Sequence, residues 1–585
     1  MMERPRIDPG VLGALSKAVP QRIARRLDAD PKVAGSWLWA RDGEAWSVTT
    51  DGGETVRITS TGEVVRSADQ IRCTCLLGPR CLHVLAVASS LDLDAAGSAL
   101  AAPGGAPATA RGVDGPAGPP LETAVGAPPQ RSEVSPSQRE AAEQAWHTAG
   151  RVLGAGAHSA GTVLQGELLR CVHAARAEGL HRLGASGLRV VRRLRELREG
   201  AAAFDAAELQ SDLLDLLVTA RALGGEPIVD RGWIGVARRI YEPVGSLRAS
   251  GIFCEPVVSA AGHGGVVTWL IGGDDRLVTL PDVMPGDVHR ARGAYVAGVA
   301  LGGSSLTHRE LCRAGLFLSG ATASADGRLG SGKGVDAVRS EGMGWAHPAL
   351  GRRFLDPWPE QNERVDRILE EPADTRAAGA ALLMARLKVA GVCERGLVAE
   401  VVDQAEAAWI VLAPALVHPE LAFVDNLRRL SIRGLGLRAI MRRPERGRTL
   451  SLLAISADEA SPGDSPRLEL PAAWKGICNV GYDRLQVAHV LGGLPAPEID
   501  LPLAPDPLSL LSRWLTRVVL GGRGALPHAA LAGIQRDAQR LGRMMMPGAA
   551  SCLASLGAAA GSGQDALSRA WVASAIYERA ARRKI

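Results

Sequence analysis

Apolar residues recur at three- and four-residue spacing from 138 to 223. Val190, Val191, Leu194 and Leu197 form one predicted helical face. Leu209, Leu213, Leu216, Leu217 and Leu223 form another, stopped by Gly224-Gly225. From about 228 to 345 short β-type runs take over (GVVTWLIG, RLVTLPDV, AYVAGVAL, GLFLSGATAS), separated by Gly/Asp/Pro turns. Residues 360–395 read as helix again, 398–495 as strand-rich (WIVLAPALV, LSLLAIS), and 505–585 as largely helical. Near the N-terminus, strands are predicted at Trp46–Thr50, Thr55–Thr59 and Glu63–Arg66. Val84, Val87, Ala88 and Leu91 then fall at helical spacing. The expected fold class is α+β multidomain: a small N-terminal ββα-like module, then alternating helical and strand-rich blocks resembling small barrels or sandwiches. Whether those two strand-rich blocks repeat one another is not decided by the sequence.

One boundary comes from composition. Between residues 101 and 130, 21 of 30 positions are Ala, Gly or Pro, without any hydrophobic period. Such a segment buries too little to offset its ordering entropy, so a disordered tether is expected. Helix is expected to resume at Ser137, where Ser137-Gln138-Arg139-Glu140 has capping-box spacing. The predicted division is a small N-terminal module at 1–97, a linker at 98–136, and a helical domain at 137–227. A strand-rich domain at 228–345, a helical segment at 346–397, a strand-rich domain at 398–495 and a helical domain at 496–585 follow. The tether is expected to decouple the module from the rest.

The chain has 585 residues, enough for several cores. No run of 18 apolar residues occurs, and MMERPRIDPG lacks an apolar stretch with a cleavage site. A cytoplasmic protein with no membrane segment and reduced thiols is expected. Net charge is +5, but only 6 of the 67 cations are lysines, a bias typical of GC-rich coding. Arginine abundance alone therefore signals little.

The chemistry concentrates at Cys73-Thr-Cys75 and Cys81-Leu-His83. Three of nine cysteines fall within nine residues. Extended backbone places Cys73 and Cys75 on one face, and Leu76-Leu77-Gly78-Pro79-Arg80 turns the chain. Residues two apart inside a helix diverge by about 200°. Cys81 at the cap and His83 in the first turn can nevertheless converge, and the helix N-terminus favours the Cys81 thiolate. Three thiolates and an imidazole make a closed tetrahedral site for one structural Zn2+. Its net charge of −1 is offset by nearby Arg72 and Arg80. A redox-active thiol pair is the alternative.

This pattern resembles the SWIM-type zinc finger, CxC…CxH, over about residues 35–95. The resemblance implies zinc on those four residues and a DNA-binding or protein-interaction role. GHGGVVTWL (262–270) and SLTHRELCRAGLFLSGATAS (305–324) make the remainder similar to bacterial SWIM zinc finger family proteins. Their genes often lie beside those for a MoxR-type AAA ATPase and a von Willebrand A-type protein, which implies a protein partner in an ATPase complex.

Other motifs fall short. Gly327–Gly334 nearly fits a phosphate loop, but Gly334 replaces the hydroxyl residue that would hold Mg2+. Gly262-His263-Gly264-Gly265 lacks a GxSxG elbow and reads as a turn. Cys171-Val-His173 has no second ligand pair and reads as a buried thiol beside a solvated imidazole. Arg189, Arg192, Arg193, Arg195 and Arg198 share a helix with Glu196 and Glu199, a salt-bridged solvated face. Trp37 and Trp39 are expected to pack the module core. Between 428 and 448, Arg428, Arg429, Arg433, Arg438, Arg442, Arg443, Arg446 and Arg448 face only Glu445. This stretch, with Arg72 and Arg80, is the best sequence candidate for contacting nucleic acid or a partner.

Residues 1–97 hold 12 Lys+Arg and 12 Asp+Glu, so the finger is neutral. Neutrality removes the electrostatic mark of an independent DNA-binding finger. The expectation is a non-enzymatic interaction or adaptor protein. DNA binding is the alternative, with an enzyme of unrecognised site behind it.

Overall fold

A computed structural model describes residues 4–94 and 131–584, apart from 21, 24–25, 28–29, 31–32, 44, 60–62, 202–203, 237–239, 260–261, 303, 332–333, 370, 372–375, 403, 405–406, 445–446, 448, 462–464 and 501–505. The expected tether at 101–130 lies outside the described residues, as do Lys333, Glu445, Arg446 and Arg448. The chain forms two compact units, one from 1–122 with 240–500, the other from 123–239 with 501–585.

The helical unit is built from Pro136–Ala155, Thr162–Ala177, His181–Arg198 and Ala206–Gly225, with four helices from the C-terminal stretch around one apolar core. The first helix is capped one turn-start earlier than expected. Ser135 accepts from Gln138 N–H, Gln138 returns the bond, and Pro136 occupies the first helical position. Residues 131–133, expected within the linker, pair instead with Ile228–Asp230. The arginine face of His181–Arg198 is less solvated than expected. Arg193 is buried and binds Glu196, Glu208 and Asp212, and Arg189 reaches Asp212 and Asp215 across to the next helix.

The other unit opens with the zinc module. A four-stranded antiparallel sheet runs Leu38–Asp42, Ala45–Thr49, Thr55–Thr59, Ile71–Cys73 in spatial order. The two-residue strands Arg6–Ile7, Val64–Val65 and Asp92–Leu93 pair in parallel beside it. Ile7, Leu12, Val48, Val56, Ile58, Ile71, Leu85 and Leu91 make its core, and Phe317 and Val338 from later in the chain join that core. The module is therefore packed on its own unit, against the expectation of a decoupled bead.

Two barrels follow, and they are topological copies. In the first, strands Tyr241–Ser259, His263–Gly272, Leu277–Pro285, Gly315–Ser324 and Asp336–Ser340 lie in spatial order 3-2-1-4-5. Its third and fifth strands do not pair among the described residues; a parallel bridge ties Thr279 to Arg328 in the loop before the fifth strand. In the second, Leu382–Cys393, Gly396–Val401, Ala408–Pro414, Gly436–Arg442 and Leu450–Ala457 repeat that order. There the third and fifth strands close it in parallel, Leu412 opposite Leu450 and Pro414 opposite Leu452. Each barrel carries a helix between its third and fourth strands, Val288–Val296 and Phe423–Leu430. This Greek-key order with that helix is the topology of the OB-fold.

The second barrel shows why these residues form strands. Leu383, Ala385, Leu387 and Val389 point inward at period two, meeting Leu397, Ala399, Val401 and Leu412. Its outward residues Leu382, Met384 and Ile440 pack on Ile252, Phe253 and Trp269 of the first barrel. Two expectations are corrected here. Residues 360–395 are not one helix: the helix ends at Ile368, and the alternation of LLMARLKVAGVC makes 382–393 the founding strand. Conversely AYVAGVAL is not a strand, because Ala294–Val296 end the helix that Asp287 caps through His289 N–H.

Candidate metal centre

The site assembles from a ladder, a turn and a helix start. Cys73 ends the strand opposite Val56. The turn then folds back tightly, with Gly78 N–H donating to the Cys75 carbonyl at 3.1 Å. A β-carbon on Gly78 would sit 2.8 Å from the Cys73 carbonyl oxygen, so the approach requires glycine. Cys81 is the N-cap of helix Leu82–Ser89, its Sγ accepting from Val84 N–H at 3.4 Å. His83 therefore stands in the first turn, as the spacing predicts.

The ligand atoms of Cys73, Cys75, Cys81 and His83 all lie within 4.8 Å of one another, the one such cluster among the described residues. Cys73 Sγ stands 3.6 Å from His83 Nδ1. A tetrahedral zinc with ordinary bond lengths sets a sulfur–nitrogen edge of about 3.6 Å. The four donors thus fit zinc and fill its coordination shell, so Zn2+ here is structural.

Without metal the three thiols differ in how far the protein favours their anionic form. Burial pushes the metal-free Cys73 thiol up to about 12, and the thiol of Cys81 rises for the same reason. Burial works the same way on Cys75, but a hydrogen bond from Cys81 and the backbone N–H groups of Leu77 and Gly78 outweigh it and lower its pKa. Cys75 N–H donates to Cys73 Sγ at 3.4 Å. A divalent cation supplies what burial withholds, and binding it must release protons. Trp37 packs its ring edge-on to His83 at 5.7 Å and orients the imidazole. Trp39 is half-buried under the Arg4 guanidinium and donates to the Ala34 carbonyl. Both tryptophans pack the module, as expected.

The predicted arginines do not form one surface. Arg72 is exposed opposite Arg57 across the ladder, and Arg80 is exposed in the turn. Arg428 and Arg429 are exposed at the end of helix Phe423–Leu430. Arg442, in contrast, forks onto buried Glu255, and Arg443 binds Asp366. Arg438 approaches Asp458, which Arg386 grips with paired bonds. Sequence reasoning read Leu76 and Leu77 as mere turn residues. Both are exposed, Leu76 completely and Leu77 by 57%. Two leucines with no periodic partner between ligand pairs were the available signal.

Elsewhere, Cys171 is buried against Thr148 and His173 is exposed. None of the nine cysteines forms a disulfide. Among the described residues no helix is long and apolar enough to cross a membrane.

A closed Cys3His site joining a β-ladder to a helix N-terminus defines a structural zinc module. The family model of the SWIM zinc finger matches residues 55–92, the strand–turn–helix segment that carries all four ligands. Over those residues the chain is similar to SWIM zinc fingers. Comparison with curated proteins and with solved structures returned no match.

Proposed function

We propose that the chain is a non-enzymatic adaptor in which zinc holds the finger turn in shape to dock another protein. The observation that carries this reading is the exposure of Leu76 and Leu77 on a turn pinned at both ends by zinc ligands. Apolar side chains on a preorganised turn lose little freedom on binding, which suits a docking contact. The neutral charge of residues 1–97 favours a protein over DNA as what the finger grips. The filled coordination shell leaves zinc no open position for a substrate. Proteins of the MoxR-type AAA ATPase and von Willebrand A-type classes are the partners that the family resemblance supplies.

Affinity purification from native cells, with nuclease treatment, tests the proposal. A stoichiometric protein should co-purify with the unaltered chain and be lost from Leu76→Ser/Leu77→Ser. Recovery that vanishes with nuclease, or that ignores both leucines, would overturn it.

A further inference from the structure

Beyond the finger, the tandem barrels present a cationic groove. Its larger chamber, about 520 Å³, is lined by His289, Arg292, Arg309, Trp474, Tyr482 and Arg484 among others. A second chamber of about 370 Å³ is lined by Asp425, Arg428, Arg429 and Arg484. Arg484 lines both, so the two chambers are neighbours. The equivalent helices of the two barrels, Val288–Val296 and Phe423–Leu430, each supply arginines to it.

The charge is uneven and available. Five arginines meet Glu420 and Asp425, while the charge of Asp483 is answered from below by buried Arg313. Arg292–Glu420 and Arg484–Asp425 are exposed pairs, of a kind worth little and readily exchanged for a stronger anion. Arg309 and Arg429 are exposed and pair with no carboxylate among the described residues. Guanidinium forks suit phosphate oxygens better than single carboxylates along a flexible chain.

The floor is rigid. Tyr482 stacks on Tyr295 with ring centres 4.0 Å apart, and the Tyr295 hydroxyl donates to Asp483 at 2.9 Å. Arg313 binds Asp483 and donates to the carbonyls of Trp474 (3.0 Å) and Ile477 (2.9 Å). Buried Asn479 ties Tyr295 to the same network. Half-buried Trp474 is thereby held at the chamber wall, where an aromatic face can stack a base.

We propose that this groove binds single-stranded nucleic acid, with arginines on phosphates and Trp474 against a base. Five arginines against Glu420 and Asp425 select a polyanion. The concave chambers, about 520 and 370 Å³, are on the scale of one nucleotide each. This site lies on the helix-bearing side of the barrels and is independent of the finger turn.

The test is fluorescence anisotropy of the full chain with a labelled mixed-sequence single strand of roughly 15 nucleotides. Affinity should fall with salt at a log–log slope of about −0.7 per phosphate contacted. Arg309→Glu/Arg429→Glu should weaken binding at least about tenfold and flatten the slope by about 1.4. Arg195→Glu/Arg198→Glu, exposed arginines of the helical unit, should leave it unchanged. The proposal is overturned by absent binding, by equal loss in both double variants, or by loss in neither. Equal affinity for the duplex overturns it too, as does displacement by polyglutamate at matched charge, which would assign the groove to an acidic peptide. No protein partner is present in this assay, so its failure leaves the docking of Leu76 and Leu77 to the pull-down.

Discussion

Around His83 the chain gathers four zinc ligands from residues 73–83, whereas the second barrel draws its enclosure from five strands spread over 382–457. The zinc module has short strands, two of its parallel pairings being two residues long. Its Cys73 and Cys75 are only partly buried, so apolar packing alone does not fix their turn. The barrel needs no metal, because Leu387, Leu397, Leu412, Leu437 and Leu452 are fully or almost fully enclosed and its third and fifth strands close the ladder. One region is held by a few strong local bonds, the other by many weak distant ones. Between the barrels lies a buried polar network, in which Tyr295 and Arg313 of the first meet Asn479, on a strand paired with the second barrel, and Asp483 beyond it.

The largest expected effect comes from removing the metal. Structural zinc contributes roughly 10–16 kcal/mol in isolated finger peptides. Chelation of the full chain should abolish amide-exchange protection in 38–89 and leave 382–457 protected. Because Phe317 and Val338 share the module core, the strands bearing them should lose part of their protection. Equal loss throughout 382–457 would erase the contrast between the regions.

A smaller effect concerns the polar network that joins the two barrels. Arg313→Met leaves Asp483 buried without its cation and should cost about 3–5 kcal/mol in urea denaturation. Arg313→Met/Asp483→Leu should recover much of that, since no charge is then left unpaired. An unchanged midpoint for the single variant would show that the network does not hold the groove floor.

Acid provides the third and smallest test. His308 is buried in the first barrel, bonded to Thr268 at 2.7 Å, and burial lowers its pKa to about 4. The unfolded chain takes up that proton near pH 6.5, while the folded chain resists until about 4. The contribution of His308 is therefore complete above pH 6.5 and lost as pH falls towards 4, up to about 3 kcal/mol. His308→Asn should flatten that part of the stability profile; an identical acid response in the variant would place the titration elsewhere.

What was legible follows the same contrast. Cys81 as helix cap and His83 in the first turn could be derived from spacing, because every constraint lies within a dozen residues. The period-two pattern of Leu383, Ala385, Leu387 and Val389 was overrun by neighbouring helical signals, although the strand pairs with residues 436–442. AYVAGVAL failed for the opposite reason: its β-branched residues suggest a strand, yet the helix capped by Asp287 runs into it as far as Val296. Arg442 was counted as surface because its partner, Glu255, is 187 positions away. The groove was invisible for that reason too, since Arg309 and Arg484 meet only after both barrels have formed.

Elemental analysis of the purified full chain, beside its Cys73→Ser/Cys75→Ser variant, tests the central claim most directly. One zinc per unaltered chain and loss of that zinc from the variant is the expected result. A chain purified without zinc, or a double variant that keeps a full equivalent, would contradict the assignment of Cys73, Cys75, Cys81 and His83.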